Sequence, residues 1–444
     1  MNLLIKKGPA LWRRAKKIIP GGSQLLSKRS EMFLPGGWPS YYKKAKGIEV
    51  WDLDGNKYED FSLMGVGSCV LGYADPDVNR AVKMAADLGS MSTLNSPEEV
   101  ELAEILCKLH PWANMARFAR TGGEAMSIAV RIARAYTGRD KIAFCGYHGW
   151  HDWYLAANLA DKKNLDGHLL PGLDPAGVPR GLKGTAFPFH YNDIAALEKI
   201  AAANKDIGVI VMETLRHTEP KNDFIKKVAQ IAKKIGAVLI FDEISIGWRL
   251  NVGGAHLLYG VNPDIAVFAK AMSNGYPMAA VIGRKGVMDA AQKTFISSTY
   301  WTEAVGPVAA LATIKKMQKK HVPEHLGKIG ERIGKGWKAV AEKHGLDITV
   351  VGPNPLITFS FNPPAGGGKI NQALKTLFIQ EMLKRGYLAA LSVYVSYAHK
   401  ENHVKSYLKA VDEVFGIIKR SIENKTTSNL LEGPIAHSGF KRLT

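Results

Sequence analysis

Short apolar runs alternate with helical periods along the middle of the chain, from about residue 100 to residue 300. The runs lack the polar alternation of a half-exposed strand, so they predict strands that are buried on both faces. The runs are Lys141–Cys145, Ile207–Met212, Ala237–Phe241, Ile265–Ala269 and Ala279–Gly283. Because helix-length segments such as Phe224–Ile235 separate them, the pattern predicts βαβ units and an α/β fold with a mostly parallel sheet.

The segments on either side of this region have a different pattern. An Asp54-Gly55 turn between alternating residues predicts a hairpin over Gly47–Asp60. Beyond residue 305, helical periods surround two strand candidates; the helices are Glu324–His344, Asn371–Arg385 and Lys400–Ile422, and the strands Ile348–Val351 and Leu356–Phe361. We therefore predict a large domain over residues 71–305, a smaller α+β domain over residues 306–444, and an N-terminal segment, residues 1–70, that packs with the small domain.

Composition narrows the class of protein. The 444 residues are 46% hydrophobic and 22% charged, which is typical of a soluble globular protein and argues against disorder. No run of about 18 apolar residues occurs, so we expect no membrane span. The three cysteines (Cys69, Cys107 and Cys145) are scattered and lack metal-ligand spacing. They favour a reducing compartment, and we expect a cytoplasmic protein.

The net charge of +19 leaves three kinds of partner open: nucleic acid, an anionic membrane surface, and acidic small molecules. Part of the excess lies in residues 1–30, which contain no acidic residue. This segment predicts an amphipathic helix around Pro9–Ile19 with a solvated basic face; a cleavable transit peptide is the alternative. Since no nucleic-acid-binding motif accompanies the charge, we expect anionic small molecules and neither nucleic acid nor membrane as partners.

Two glycines precede a helical pattern at Thr121-Gly122-Gly123-Glu124. Glycines let the backbone amides approach a ligand, and the start of a helix carries positive partial charge, so the place suits a phosphate. A glycine turn capped by Thr121 is the alternative. The motif alone does not decide between the two.

Aromatic and histidine side chains follow the predicted strand Lys141–Cys145 directly, in the stretch 147–152. The carboxyl end of a strand is where open α/β sheets bind ligands. Tyr147 suits ring stacking against a planar ligand. A zinc site from His148, His151 and Asp152 is the weaker alternative, because no further ligand is evident.

Two more predicted strands end in residues whose side chains are candidates for catalysis or cofactor binding. Asp242 ends one apolar run, where a carboxylate is either a cofactor partner or a helix cap. Lys270 follows another, where burial lowers the pKa of the amine and favours a neutral nucleophile that forms Schiff bases. A lysine that extends its amine to solvent is the alternative for Lys270.

The four places are expected to meet, because the carboxyl ends of parallel strands lie at one edge of a sheet. A phosphate cradle, a stacking tyrosine, an aspartate and a lysine are the parts that pyridoxal 5′-phosphate (PLP) requires. The lysine links to the cofactor aldehyde, and the aspartate keeps the pyridine nitrogen protonated so that the ring accepts electrons. The sequence therefore predicts a PLP enzyme with no metal.

Over nearly its whole length, from Ile19-Pro20-Gly21-Gly22 onward, the chain resembles the class III, fold-type I PLP aminotransferases. The similar branch is the one around glutamate-1-semialdehyde 2,1-aminomutase. The motifs that carry the resemblance are the aspartate-glutamate segment Leu239–Arg249, the lysine segment from Pro263 to Lys270 with its Gly275-Tyr276-Pro277 turn, the segment Arg131–Lys141, and Tyr147-His148-Gly149.

The resemblance implies roles for individual residues. Lys270 and Asp242 are the implied catalytic residues. The implied cofactor-binding set is Thr121, Gly122, Gly123, Tyr147, His148, Glu213, Asp242, Ile244, Lys270 and Thr299. The resemblance also implies that Ile244 packs on the ring face opposite Tyr147 and that Thr299 contacts the phosphate of a partner subunit across a homodimer interface.

Four departures from the family pattern concern the phosphate and substrate sides. Gly123 lacks the hydroxyl of the usual Ser-Gly-Thr loop, and Thr214 replaces the proline of the usual Glu-Pro pair after Glu213. The stretch 298–303 replaces a Thr-x-Ser-Gly-Asn-Pro pattern, which makes Glu303 a substrate candidate. The aminomutase's N-terminal arginine motif is also absent, and Arg29 is the candidate replacement.

The implied activity is amino transfer by a ping-pong route from an amino donor to a small aldehyde, keto or keto-sugar acceptor. By analogy with the branch that lacks the aminomutase motif, the acceptor belongs to surface-polysaccharide or amino-sugar synthesis. A glutamate-1-semialdehyde-type 2,1-aminomutase and a PLP-dependent amino-acid racemase or epimerase are the alternatives, since they share the cofactor residues.

Overall fold

The computed structural model describes residues 6–168, 170–363 and 367–440. The strands are β1 (Tyr42–Lys46), β2 (Glu49–Asp52), β3 (Lys57–Phe61), β4 (Met115–Ala119), β5 (Lys141–Cys145), β6 (Ala186–Pro188), β7 (Ile207–Glu213), β8 (Val238–Asp242), β9 (Ile265–Phe268), β10 (Ala279–Gly283), β11 (Ile348–Val351), β12 (Leu356–Phe361), β13 (Tyr387–Ala389) and β14 (Ser392–Tyr394). The α-helices are α1 (Lys7–Ile18), α2 (Pro76–Leu88), α3 (Pro97–Leu109), α4 (Gly122–Thr137), α5 (Asp152–Leu155), α6 (Ala157–Ala160), α7 (Ile194–Ala203), α8 (Phe224–Ile235), α9 (Lys285–Met288), α10 (Val305–Lys320), α11 (Val322–Lys343), α12 (Gly367–Lys384) and α13 (Glu401–Glu423). No helix among these residues is long and apolar enough to cross a membrane.

The chain forms two compact units. The larger one spans Pro76–Glu324 and contains a seven-stranded sheet of order β4-β10-β9-β8-β7-β5-β6. Strands β5 to β9 pair in parallel, as the buried apolar runs predict. Strand β10 differs from the parallel majority, because it is antiparallel to both β9 and β4. An apolar run predicts burial on both faces but carries no information about strand direction.

The two faces of this sheet explain why its strands lack polar alternation. On β7, Val209 and Val211 pack in the core that contains α4, whereas Ile210 and Met212 pack in the core that contains α8. Successive side chains of a strand point to opposite faces, so helices on both sides require apolar residues at every position. This double burial fixes the strands and holds their carboxyl ends at one edge.

The second unit joins the described residues up to Asp75 with those from His325 onward. Strand β3 of the hairpin pairs in parallel with β13, in a sheet of order β1-β2-β3-β13, and β11-β12-β14 form a separate sheet. Helix α1 buries Trp12 and Ala15 and leaves its basic residues to solvent, as predicted. The indole of Trp12 donates to Glu31 Oε1 at 3.0 Å, which ties α1 to the following segment.

The boundary between the units differs from the predicted division of the sequence. The prediction ends the large domain at residue 305, the first residue of α10, whereas the compact unit continues to Glu324. Helix α10 packs against α2, and Lys316 of α10 pairs with Asp77 of α2 at 2.7 Å. This packing is tertiary, so the helical period of α10 alone does not reveal it.

Candidate active site

Five residues singled out by the sequence lie at the carboxyl ends of neighbouring strands. Glu213 and Asp242 end β7 and β8 and are register partners. Tyr147 and His148 follow β5, and Lys270 follows β9. Because β5, β7, β8 and β9 are adjacent and parallel, the structure brings these residues to one edge of the sheet. All of them belong to the larger unit.

Asp242 is buried and held on both carboxylate oxygens. Oδ1 accepts the backbone N–H of Ile244 at 3.0 Å, and Oδ2 faces Nδ1 of His148 at 2.8 Å. The side chain is only 4% exposed, so the two contacts fix its orientation. Both ring nitrogens of His148 have partners. Nδ1 contacts Asp242, and Nε2 contacts the carbonyl oxygen of Cys145 at 3.1 Å. The structure therefore makes His148 a partner of Asp242; its predicted direct contact with the cofactor stays a prediction.

Lys270 combines an unusual backbone with a perturbed amine. Its φ is +46°, a left-handed conformation that a lysine adopts at a cost and that is typical of functional sites. The amine Nζ donates to Ser245 Oγ at 2.7 Å. Burial, and then the positive charge of Arg216, lower the pKa of Lys270 to about 8. A substantial fraction of the amine is therefore neutral near physiological pH.

An ion pair that the sequence prediction missed lies next to this amine. Arg216 Nη1 contacts Glu213 Oε1 at 2.7 Å, and Glu213 Oε2 accepts the backbone N–H of Tyr147 at 3.1 Å. Burial alone raises the pKa of Glu213, but Arg216 and His148 beside it hold that pKa below its ordinary value. Arg216 lies in a loop without periodicity; its position three residues after the strand-end glutamate is the only sequence signal that points to it.

The glycine loop forms the start of α4, and its side-chain hydroxyl is already in use. Thr121 Oγ1 accepts the N–H of Glu124 at 3.4 Å, and the Glu124 carboxylate accepts the N–H of Thr121 at 2.9 Å, which is a capping box. A Cβ on Gly122 would lie 2.9 Å from Ile244, and one on Gly123 would lie 3.1 Å from His151 Nε2. The glycines therefore allow Ile244 and the loop after β5 to pack closely against the start of α4.

Three predicted residues lie away from this cluster or have structural partners. Thr299 begins a 3₁₀ turn and is exposed. Its contact with a partner subunit stays a prediction. The Glu303 carboxylate accepts the N–H groups of Val305 and Gly306 at the start of α10 and pairs with Arg120, so a helix cap accounts for it. Arg29 belongs to the other unit, and its proposed substrate contact stays a prediction.

The departures at Glu213-Thr214 have a structural explanation. Thr214 Oγ1 donates to Glu243 Oε1 at 2.8 Å, a bond that the proline of the family pattern cannot make. Glu243 is fully buried and also accepts from the backbone of Ala255 and His256. The second carboxylate of the aspartate-glutamate motif thus supports the loop after β8. Among the described residues no group of three or more His, Cys, Asp or Glu side chains is arranged for a metal ion.

The residues at this edge fit PLP on three independent features. Gly122 and Gly123 expose their backbone amides at a helix start, where a phosphate is favoured. His151 Nε2 is buried beside Gly123 without a hydrogen-bond partner among the described residues. Lys270 and Asp242 supply the amine and the carboxylate that the aldehyde and the pyridine nitrogen need.

Comparisons with known proteins agree with this geometry. A curated 3-aminobutyryl-CoA aminotransferase of Cloacimonas acidaminovorans is 31% identical over 95% of this chain and 99% of its own length. A glutamate-1-semialdehyde 2,1-aminomutase of Nitrosomonas europaea is 31% identical, with 94% of this chain and 98% of that protein covered. The solved FumI protein of Sphingopyxis sp. MTA144, in its PLP internal aldimine form, is 25% identical with a TM-score of 0.84, over 94% of this chain and 97% of that one.

The family model described as aminotransferase class-III matches residues 36–377, which is more than half of the chain. The structural likeness to FumI confirms the fold-type I architecture predicted from the sequence. PLP is the cofactor of this family, as the sequence predicts. The chain belongs to the class III aminotransferases and is a PLP-dependent enzyme.

Proposed function

We propose that the protein transfers an amino group from an amino donor to a small carbonyl acceptor by a ping-pong mechanism. The observation that supports this most strongly is the amine of Lys270, whose pKa is lowered to about 8. This amine lies at the same edge of the sheet as the buried carboxylate of Asp242. An amine that is partly neutral at physiological pH both links to an aldehyde and exchanges protons with a substrate carbon.

Each residue of the site has a defined task in this proposal. When bound, PLP supplies a reactive aldehyde and a ring that takes up the charge of a substrate carbanion. With PLP and substrate bound, Lys270 Nζ would act as the general base that accepts the proton from the substrate carbon and as the general acid that gives it back. Asp242 holds the proton on the pyridine nitrogen, and His148 holds Asp242 in place. The amides of Gly122 and Gly123 bind the phosphate.

The curated relatives indicate the chemical class of the acceptor. The Cloacimonas relative acts on 3-aminobutyryl-CoA by its name, which favours an amine on a short acyl chain. The prediction of a keto-sugar acceptor in surface-polysaccharide or amino-sugar synthesis remains the other proposal for the acceptor. We favour the short-chain carbonyl, because a relative that matches 95% of this chain supports it.

A 2,1-aminomutase activity is the second candidate, since an aminomutase is equally similar in sequence. An aminomutase moves the amino function between two carbons of one substrate through the cofactor, so it needs a contact that retains the substrate between the two halves of the reaction. Arg29 is the proposed carboxylate contact in that case. A racemase or epimerase shares the cofactor residues and moves only a proton.

We propose that the active form is a homodimer in which Thr299 contacts the partner's phosphate. The larger unit exposes several large apolar side chains, among them Leu88 (86% exposed), Leu94 (81%) and Phe295 (85%). Large contiguous apolar patches mark protein interfaces, and we propose that these side chains belong to such a patch. Sedimentation of the holoenzyme tests this; an active monomer contradicts it.

We also propose a cytoplasmic location. Cys69, Cys107 and Cys145 are all thiols, which is typical of a reducing compartment. Fractionation of the native cells, followed by detection of the protein, tests this. Recovery outside the cytoplasmic fraction contradicts it.

A single-turnover experiment separates the three activities. Holoenzyme is mixed with a ¹⁵N-labelled amino donor in deuterated buffer without acceptor. An aminotransferase releases about one equivalent of the keto product and retains the ¹⁵N. An aminomutase releases no keto product from the donor; in a parallel reaction with an amino aldehyde it forms the isomeric amino ketone. An epimerase exchanges deuterium without releasing a keto product. Absence of keto product with every donor tried, including L-glutamate and β-amino acids, contradicts the transferase proposal.

A further inference from the structure

Gly123 and His151 occupy each other's space at the start of α4. A Cβ built on Gly123 lies 3.1 Å from Nε2 of His151, which is the nearest neighbouring heavy atom. The backbone of Gly123 does not have a positive φ, so a side chain at this position is allowed conformationally. The imidazole therefore fills the place where a side chain of residue 123 would lie.

The imidazole nitrogen at this place lacks a partner. His151 Nε2 is buried and makes no hydrogen bond with any described residue. The ring stacks on Trp150, with centroids 4.4 Å apart and planes 23° apart, which fixes its orientation. A buried polar atom without a partner is costly, so such atoms usually bind a ligand or a water molecule.

We propose that His151 Nε2–H donates a hydrogen bond to the cofactor phosphate, beside the amides of Gly122 and Gly123. The imidazole then replaces the side-chain donor that a glycine at position 123 cannot provide. This inference rests on the phosphate cradle of the proposed site, since a phosphate at the start of α4 is the group within reach of both features.

The protonation of His151 agrees with this role. Burial lowers the pKa of His151, although Glu124 and Asp152 act in the opposite direction. The neutral ring carries one N–H, and the tautomer with the proton on Nε2 directs it towards Gly123. The ring is thus a hydrogen-bond donor that adds no fixed positive charge to a site already supplied by backbone amides.

The affinities for PLP and for pyridoxal, which lacks the phosphate, test the proposal. We expect His151→Ala and His151→Phe, which keeps the stacking on Trp150, to weaken PLP binding about 10- to 100-fold, the size typical of one hydrogen bond to a charged group. Pyridoxal binding should stay within about twofold of wild type. The ³¹P resonance of bound PLP should also shift in both variants, and this readout is independent of turnover.

A rescue experiment tests the shared space directly. Gly123→Thr alone should weaken PLP binding, because its Cβ crowds His151. Gly123→Thr combined with His151→Ala should recover most of the lost affinity. Without the imidazole the threonine side chain fits at position 123, and its hydroxyl donates a hydrogen bond to the phosphate. Ser127→Ala is the matched control: Ser127 Oγ is another buried atom without a partner on α4 and lines the same cavity as His151, and we expect no change in affinity.

Three results would overturn the proposal. His151 variants with unchanged PLP affinity would show that the nitrogen binds water only. Equal loss of PLP and pyridoxal affinity would assign His151 a general structural role. A double variant no better than His151→Ala would refute the shared space. Failure of the wild-type protein to bind PLP at all would instead contradict the proposed function itself.

Discussion

His148 Nδ1 lies 2.8 Å from Asp242 Oδ2, while the opposite nitrogen of the same ring lies 3.1 Å from the Cys145 carbonyl oxygen. A carbonyl oxygen only accepts hydrogen bonds, so Nε2 must carry a proton. The contact between Nδ1 and Oδ2 holds the Asp242 carboxylate in one orientation at the end of β8. This arrangement positions the carboxylate for the pyridine nitrogen of the cofactor.

The pair predicts graded effects of substitution. Asp242→Asn removes the charge opposite the pyridine nitrogen and should lower kcat about 10²- to 10³-fold, as expected for the loss of a preorganised electrostatic contact. His148→Gln acts only through the orientation of Asp242 and should lower kcat about 3- to 10-fold, the worth of one hydrogen bond. Steady-state kinetics with the amino donor at saturation measure both. A His148→Gln loss as large as that of Asp242→Asn would show that His148 has a more direct role.

The lowered pKa of Lys270 predicts how the cofactor-free protein captures PLP. Only the neutral amine attacks the aldehyde, so the rate of appearance of the visible band should rise about tenfold per pH unit up to about pH 8 and then level off. An ordinary lysine would continue this rise to about pH 10.4. Stopped-flow absorbance across pH 6 to 10, at about constant ionic strength, measures the profile. A profile without a plateau below pH 9 contradicts the lowered pKa.

The same shift has a stability consequence of definite sign. Between about pH 8 and the ordinary lysine pKa, the unfolded chain binds a proton at residue 270 that the folded chain does not. The free energy of unfolding therefore gains a contribution that increases with pH in this window. Lys270→Met should lack that contribution when the cofactor-free proteins are compared by urea unfolding at pH 7.5 and pH 9.5.

Substitutions of Arg216 and of Glu213 should shift the pH profile of PLP capture in opposite directions. The charge of Arg216 lowers the pKa of Lys270 and that of Glu213 raises it. Arg216→Met should therefore shift the midpoint to higher pH, and Glu213→Gln should shift it to lower pH. Arg80→Met, which removes an exposed arginine of α2, is the control and should leave the midpoint unchanged. Shifts of the same sign in Arg216→Met and Glu213→Gln contradict this electrostatic account.

The sequence predicts the strand-end residues of the site well but not the residues in the loops. Lys270 and Asp242 lie at the ends of apolar runs that predict buried parallel strands, so their place at the sheet edge follows from topology. Arg216 and His151 lie in loops, where no periodicity constrains the side chains. The sequence shows two histidines after β5 and leaves a zinc site as the weaker alternative for them, but it assigns no other role to His151. In the structure, His148 contacts Asp242 and His151 lies beside Gly123.

The secondary structure shows a similar limit. Helix α8 and strands β5, β11 and β12 have the predicted bounds. The sequence prediction did not include β4, whose residues are mostly half-buried, or β6, which has three residues. Both lie at the edges of the sheet, where their pairing depends on neighbours distant in sequence.

Gly146 links the strand end of β5 to the Glu213 carboxylate and should not tolerate a side chain. Its φ is +113°, and a Cβ there would lie 2.6 Å from Glu213 Oε2. Gly177 has a φ of +87° with open space around it, so Gly177→Ala measures the cost of the backbone alone. Thermal unfolding should show Gly146→Ala less stable than Gly177→Ala by about 1–3 kcal/mol, within the range typical of overpacking. Equal stabilities would show that Glu213 moves aside without cost.

The identity of the lysine that links to the cofactor is the most direct test of the whole account. PLP-loaded protein is treated with borohydride, which reduces the carbon–nitrogen double bond between lysine and cofactor to a stable single bond, and the peptides are mapped by mass spectrometry. We expect the pyridoxyl phosphate mass on Lys270 alone, no labelled peptide in Lys270→Ala, and normal labelling in the control Lys226→Ala, an exposed lysine of α8. A label on a different lysine, or no label on a protein that shows the visible band, would contradict it.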